Sequence, residues 1–339
     1  MDLALSAEQA AVADVFDSFF EKSQSIQRAR NAGATGFDRQ LWQAMCEMGA
    51  AGIAVSEQHG GAGAGLIDTS LVCEEVGRHI APVPYVETCV SARLLALAGQ
   101  TELLAGVLSG SVIATFSPRA AVDGTWRFVP NGAVAAAVIG MIDHELVISM
   151  PAEPGAALPN LGDLPVADLP TGDGPHIVIA AGAVAGTVFG RAHDEWRVLS
   201  AAGLVGMAAG ALRTAVSYVK ERTQFGVPLG SFQSIAHHLA DCQAALDGAR
   251  MLCREAAWAL DQSTTDSSTL AAMAFYFAAQ TAEQVTGWSL HFHGGYGFML
   301  EYDVQLFHRR AKAWSLLHGD REAVLDEVAD RVFIPAGAL

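Results

Sequence analysis

Apolar and polar positions follow three successive patterns along this chain. Over residues 1–110 the apolar side chains recur every three or four positions, which is typical of amphipathic helices. Over residues 111–190 short runs of Val, Ile and Ala lie between clusters of Gly, Pro, Asn and Asp, which is typical of strands joined by turns. Over residues 191–339 the helical spacing returns in longer runs. The pattern predicts three consecutive domains with these boundaries.

Local signals support helices in the first domain. Ser6 and Gln9 form a capping box ahead of an apolar-periodic run. Asp38 is placed to cap a second helix, and Gly49 is placed to end it. A further helical run covers residues 67–80, and the prolines after it cannot continue a helix.

The third domain predicts a four-helix bundle. Its second long segment carries a narrow apolar stripe with alternating steps of four and three, made by Ile235, Leu239, Cys242, Leu246, Ala249 and Cys253. The four predicted helices cover about 195–222, 232–261, 267–292 and 302–316. The fold class is therefore mainly α with a middle β-domain: an N-terminal helical domain, a small β-barrel or sandwich, and a C-terminal four-helix bundle.

The composition of the chain argues against nucleic acids and membranes as binding partners. The chain has 339 residues, a formal net charge of −16 and a pI near 5.0, so it repels both nucleic acid and anionic membranes. The sequence has no long uninterrupted apolar run and no signal-peptide pattern at its start, so we expect no membrane span. Five cysteines with irregular spacing predict reduced thiols and a cytoplasmic protein without a metal site.

Three segments carry a resemblance to a known family. SYVKERTQFGVPLGSFQSIAHHLAD (217–241), HFHGGYGFMLEYDVQLFHRRAK (291–312) and LWQAMCEMGAAGIAVSEQHGGAG (41–63) resemble the acyl-CoA dehydrogenases, in the family's order. The resemblance implies the same three-domain fold, with FAD bound between the subunits of a dimer of dimers. It also implies α,β-desaturation of an acyl-CoA thioester, in which a carboxylate removes the α-proton and the flavin accepts a hydride.

The resemblance assigns one set of residues to FAD. Arg222 matches the arginine that reaches the FAD pyrophosphate of the neighbouring subunit, a role for which a planar cationic fork is suited. Read by residue type alone, Arg222 is a cation at a helix C-terminus. His291 stands where the family usually has Gln. The other residues matched to the cofactor are Thr223, Gln224, Phe225, Phe232, Gln233, Gly294 and Gly295.

Two family segments that contact the flavin ring are altered. The Thr-Glu-Pro-x-x-Gly-Ser-Asp loop corresponds to ATFSPRAAVDG (114–124), where Pro118 is kept and Ser117 could donate one hydrogen bond. The Lys-x-Trp-Ile-Thr strand corresponds to residues 129–140, which have neither Lys nor Trp. The family residues that act on a subunit's own flavin are therefore mostly missing.

The catalytic carboxylate is missing as well. One branch of the family carries its base in a Glu-Gly-Thr motif, which falls on His318, Gly319 and Asp320. The other branch carries it on the first bundle helix, at the position of Trp196. A histidine has a suitable ordinary pKa for a proton acceptor, but it lacks the negative charge of a carboxylate. We therefore assign no catalytic residue.

Neighbouring residues match the substrate side of the family site. Asp194 and Arg197 match its Asp and Arg, whereas Glu195 is offset by about 100° around the helix and should point elsewhere. The sequence predicts a subunit that completes the FAD site of a paralogous catalytic partner, as in actinobacterial α2β2 enzymes acting on steroid side-chain CoA esters. Two alternatives remain open: a self-sufficient homotetramer using a base such as His318, and a non-catalytic scaffold that binds acyl-CoA.

Overall fold

The computed structural model describes residues 3–172 and 174–333. Its N-terminal part contains six α-helices: α1 (Ala7–Lys22), α2 (Ser25–Ala32), α3 (Arg39–Glu47), α4 (Leu66–Arg78), α5 (Tyr85–Leu97) and α6 (Thr101–Leu108). The capping box is confirmed, because the Ser6 side chain accepts a hydrogen bond from the backbone N–H of Gln9 at 3.1 Å. Asp38 caps α3 in the same way, through the N–H of Leu41 at 2.9 Å.

The middle part is a small β region made of two sheets. The larger sheet has the order β1-β3-β4-β6 (Ala114–Phe116, Ala137–Ile142, Glu145–Ser149 and His176–Ala181). Its β1–β3 pair is parallel, and its other pairs are antiparallel. The smaller sheet pairs β2 (Thr125–Val129) with β5 (Ala167–Pro170). Apolar side chains of both sheets, Trp126, Val129, Val138, Val147 and Leu169, pack together, which gives the predicted sandwich arrangement.

The C-terminal part is a bundle of α7 (Gly182–Glu221), α8 (Gln233–Asp261), α9 (Ser267–Phe292) and α10 (Val304–Leu316), with α11 (Arg321–Phe333) packed on α9. The prediction that the first bundle helix starts near 195 is wrong, since α7 follows β6 directly. The first turns of α7 are largely exposed and contain three glycines, which lower helix propensity, so the sequence shows no helical stripe there.

α7 is also long and apolar enough to cross a membrane, but 83% of its most apolar stretch is buried inside the protein. It therefore belongs to the core. The main core runs from the N-terminal helices through one face of the larger sheet into the bundle. All five cysteines are buried and free.

α4 and α7 cross at very short range because glycines line the crossing. A Cβ atom at Gly206 would lie 1.8 Å from the Glu74 carbonyl oxygen, and one at Gly77 would lie 1.9 Å from the Gly203 carbonyl oxygen. Since backbone atoms cannot move aside as a flexible side chain can, these positions require glycine.

We expect Gly206→Ala to lower the free energy of unfolding by about 1 to 3 kcal/mol, because overpacking a core forces the backbones apart. Urea denaturation measures the change. Gly186→Ala is the control on the same helix, since no atom lies within 4 Å of a Cβ there, and it should be neutral or slightly stabilising. Equal stability of the two variants would contradict this account of the crossing.

Candidate functional site

The two positions at which the family carries its base lie against each other. Trp196 on α7 and His318, just after α10, are stacked with ring centroids 5.8 Å apart and an interplanar angle of 23°. His193 and Phe275 complete this group, with centroids 5.2 Å and 4.7 Å from the His318 ring. We call these four side chains the aromatic cluster. Aromatic rings therefore occupy both positions at which family members carry the catalytic carboxylate.

The nitrogen of His318 that could accept a proton already accepts a hydrogen bond. The Arg197 Nε–H donates to His318 Nε2 at 2.8 Å, so this nitrogen carries no proton and its lone pair is occupied. Burial, together with the charge of Arg197, lowers the pKa of His318 to about 3. The same two causes lower the pKa of His193 to about 2. Both imidazoles are therefore neutral near pH 7, and His318 Nε2 is not free to accept a substrate proton.

A buried carboxyl group lies behind Trp196. Glu87 on α5 is 3% exposed. It accepts hydrogen bonds from the Trp196 indole N–H at 2.9 Å and from the Asn131 amide at 2.6 Å. Burial raises its pKa above the ordinary value. Glu87 was not identified from the sequence. The only feature that marks it there is that it is a single acidic residue within an apolar helical stretch.

The two residues matched to the substrate side are held within the chain. Both nitrogens of the Arg197 fork bind Glu327 on α11, at 2.9 Å and 2.5 Å, and Asp194 lies 3.7 Å from the same guanidinium. Ser268 donates to Asp194, and Arg331 forms an ion pair with Glu327. Arg197 is 3% exposed. Glu327, which sequence reasoning also missed, thus occupies the fork that would otherwise be open to a ligand.

Glu195 faces away from the aromatic cluster, as its helical offset predicts. Its Oε1 lies 3.1 Å from both Arg93 on α5 and Arg191 on α7. Burial raises its pKa, and these two arginines oppose that effect. Glu195 is therefore part of an ion-pair group between α5 and α7.

The residues matched to FAD begin at a short exposed hairpin after α7. Strands β7 (Thr223–Gln224) and β8 (Val227–Pro228) pair antiparallel, and Phe225 at the tip is 92% exposed with φ +53°. Arg222, just before β7, is exposed, and its guanidinium has no hydrogen-bond or ion-pair partner within residues 3–172 and 174–333. A charged fork and an aromatic ring are thus exposed to solvent, and the Phe225 ring touches only the edge of the Phe232 ring, with centroids 6.2 Å apart, among the described residues.

Ring stacking joins the end of α7 and the start of α8 to the end of α9. The Tyr218 ring on α7 stacks on His293 at 4.2 Å, and the His238 ring on α8 stacks on Trp288 of α9 at 3.8 Å. These contacts bring the predicted cofactor residues to one end of the bundle: Arg222, Thr223, Gln224, Phe225, Phe232, Gln233, His291, Gly294 and Gly295.

The chemistry of this end fits a dinucleotide. The free guanidinium of Arg222 suits a diphosphate, and the exposed Gln224 and Gln233 side chains suit polar groups. Gly294 has φ +59°, and a Cβ at Gly294 or Gly295 would meet no atom within 4 Å, so a ligand can approach the backbone closely. These residues could hold the adenosine and diphosphate part of FAD.

The segment matched to the flavin-ring loop makes internal contacts instead. Ser117 is fully buried, and its hydroxyl donates to the Arg119 carbonyl at 2.8 Å. The Arg119 Nη2 donates to the carbonyls of Leu316 and Leu317, at 3.3 Å and 2.6 Å, just before His318. This loop is therefore joined directly to the segment that carries the base position.

The fold and this arrangement of sites are those of an acyl-CoA dehydrogenase, and the chain belongs to the acyl-CoA dehydrogenase family. Residues 6–111 match the family's N-terminal domain model, and residues 187–333 match the C-terminal domain model. Members of the family are flavin-dependent oxidoreductases.

Individual relatives agree with this membership. The chain is 32% identical to the acyl-CoA dehydrogenase IpdE2 of Mycolicibacterium smegmatis, over 97% of this chain and 100% of the relative. The solved Tcur3481-Tcur3483 steroid ACAD is 29% identical with a TM-score of 0.85, covering 95% of this chain and 97% of that one. The ChsE4-ChsE5 complex of Mycobacterium tuberculosis shares the fold, with 24% identity, a TM-score of 0.87 and coverage of 99% and 100%.

Proposed function

We propose that this chain is the non-catalytic subunit of a heteromeric, FAD-dependent acyl-CoA dehydrogenase. It completes the FAD site of a paralogous catalytic subunit in a cytoplasmic α2β2 assembly. The observation that carries the proposal is the exposed hairpin after α7, where the Arg222 guanidinium has no partner among the described residues and the Phe225 ring is 92% exposed.

The closed state of the chain's own site supports the same proposal. Trp196 and His318 stack at the two base positions, and the acceptor nitrogen of His318 is bonded to Arg197. The Arg197 fork is bound to Glu327. Proton removal from a thioester's α-carbon needs a free base within hydrogen-bonding reach, and these contacts leave neither aromatic position free for that role.

Each cofactor residue then has a definite task in the partner's site. When bound, FAD supplies the acceptor for the substrate's hydride. Arg222 would bind its diphosphate, Phe232 and Gln233 its adenosine half, and Gly294 and Gly295 would allow the backbone to approach it. The catalytic subunit would supply the flavin-ring contacts and the carboxylate.

The relatives support two kinds of subunit and a substrate class. The steroid ACAD relative is named for two proteins, Tcur3481 and Tcur3483, which supports pairing with a paralogue. Its description as a steroid enzyme supports a steroid side-chain CoA ester as the substrate of the assembly. This substrate assignment rests on analogy with that relative.

Flavin stoichiometry tests the proposal. The purified chain alone should bind little FAD and show no turnover with acyl-CoA esters. Co-expression with a longer paralogue that carries the Glu-Gly-Thr and Thr-Glu-Pro motifs should give a yellow complex of equal chain numbers, with half the flavin per chain of a homotetramer. A lone chain that is yellow and reduces its flavin on addition of an acyl-CoA would overturn the proposal in favour of a self-sufficient enzyme.

A further inference from the structure

A cavity of about 430 Å³ lies between the middle β region and the end of α10. Its volume is in the range of small-molecule sites. The walls are almost entirely apolar and come from three elements, with Phe128 on β2, Leu161 and Leu164 on the loop before β5, and Ala313 and Leu316 on α10. Among the residues that the structure describes, Arg119 is the one charged side chain that lines it.

Arg119 is incompletely satisfied by the protein. Its Nη2 caps the C-terminal end of α10 through the carbonyls of Leu316 and Leu317. Its Nε and Nη1 have no hydrogen-bond partner, and no carboxylate pairs with it, in the part of the chain that the structure describes. Burial lowers its pKa, and no anion within residues 3–172 and 174–333 opposes that effect. Capping engages one nitrogen of the fork and leaves the other two without a hydrogen-bond partner among the described residues.

The opening of the cavity carries a strained aromatic residue. Phe128 has φ +51°, a conformation that costs free energy for a bulky residue. A hydrogen bond from its backbone N–H to Asp168 at 2.8 Å holds it there. Its ring is 52% exposed and lies 5.9 Å from the Arg119 guanidinium carbon. The fold thus holds an aromatic surface beside an unpaired cation.

We infer that this cavity binds an apolar carboxylate, which places its carboxylate on the free nitrogens of Arg119 and its hydrocarbon body against Phe128, Leu161 and Leu316. An anion here would gain charge-assisted hydrogen bonds from a half-buried guanidinium. The apolar walls would contribute in proportion to the area they cover. The site is separate from the hairpin residues that carry the proposed FAD function, so the two assignments can fail independently.

Binding of naphthalene-2-carboxylate to the full chain tests the inference, with naphthalene-2-carboxamide as the neutral probe of the same shape. Calorimetry should show that the carboxylate binds at least about tenfold more tightly, since the charge-assisted contact is absent for the amide. Equal affinity of the two probes, or no binding of either, would overturn the inference.

Variants locate the site. Arg119→Met should weaken carboxylate binding by about tenfold or more and leave amide binding unchanged. Arg39→Met is the matched control, since Arg39 is an exposed arginine lying 5.6 Å from a phenylalanine ring elsewhere, and it should have no effect. If Arg119→Met fails to fold, Leu161→Asp, at a half-exposed position, places a repelling charge at the cavity and should weaken the carboxylate selectively.

Two results would count against the assignment. Unchanged carboxylate affinity in the folded Arg119→Met or Leu161→Asp variant would place the binding elsewhere. Displacement of the naphthoate by riboflavin at comparable concentration would identify a residual flavin site instead of a carboxylate site.

Discussion

Arg222→Ala should remove most of the flavin from the co-expressed complex while leaving its two chains assembled. The guanidinium is exposed and has no partner in its own chain, at least within the described residues, so its loss should not affect the fold. Truncating one partner of a charge-assisted pair costs about 2 to 5 kcal/mol, which weakens FAD binding by a factor of roughly thirty to several thousand. The ratio of flavin absorbance to protein after gel filtration measures the effect.

Two variants sharpen this test. Lys220→Ala removes an exposed cation two residues earlier, in the last turn of α7, and should leave the flavin content unchanged. Arg222→Lys keeps the charge but loses the planar fork, so it should give an intermediate affinity. A complex that keeps all its flavin with Arg222→Ala would show that this hairpin does not hold the cofactor.

The three-part fold was predictable because each part has its own periodicity. The caps at Ser6 and Asp38 are short-range features, and the structure confirms both. The apolar stripe of α8 likewise depends only on spacing along one helix, and its Cys242, Leu246, Ala249 and Cys253 are buried. The start of α7 was not predictable from spacing, since its first turns are glycine-containing and largely exposed.

The candidate site was only partly predictable, because its decisive contacts join distant residues. Motif matching placed Trp196 and His318 at two separate base positions, but their stacking depends on how α7 and the end of α10 pack. Arg197 donates to His318 across 121 positions and binds Glu327 across 130. No local pattern marks Glu327, because an acid on a C-terminal amphipathic helix usually faces solvent. The sequence identified the missing carboxylate, and the structure adds the side chains that replace it.

Acid should destabilise the protein through the aromatic cluster, and His193 offers the cleanest measurement. Its pKa is lowered to about 2 by burial and by the charge of Arg197, while an unfolded histidine titrates near 6.5. The unfolded state therefore binds a proton first as the pH falls below about 6.5. The contribution of His193 is fully present above that pH and is lost progressively toward pH 2. At pH 5 the loss relative to neutral pH is about 2 kcal/mol.

The pH dependence of stability must be compared between variants, because other buried groups change the stability of the same chain with pH in the opposite direction. Burial raises the pKa of Glu75 to about 7, so its contribution to stability is present at low pH and is lost as the pH rises.

His193→Phe keeps a ring between Phe189 and Trp196 but removes the titration. Its unfolding free energy relative to the unmodified chain, from urea denaturation, should rise by about 2 kcal/mol between pH 7.5 and pH 5. A flat difference for His193→Phe would mean that water reaches this imidazole, and the cluster would then not be the closed, dry packing that takes the place of a catalytic base.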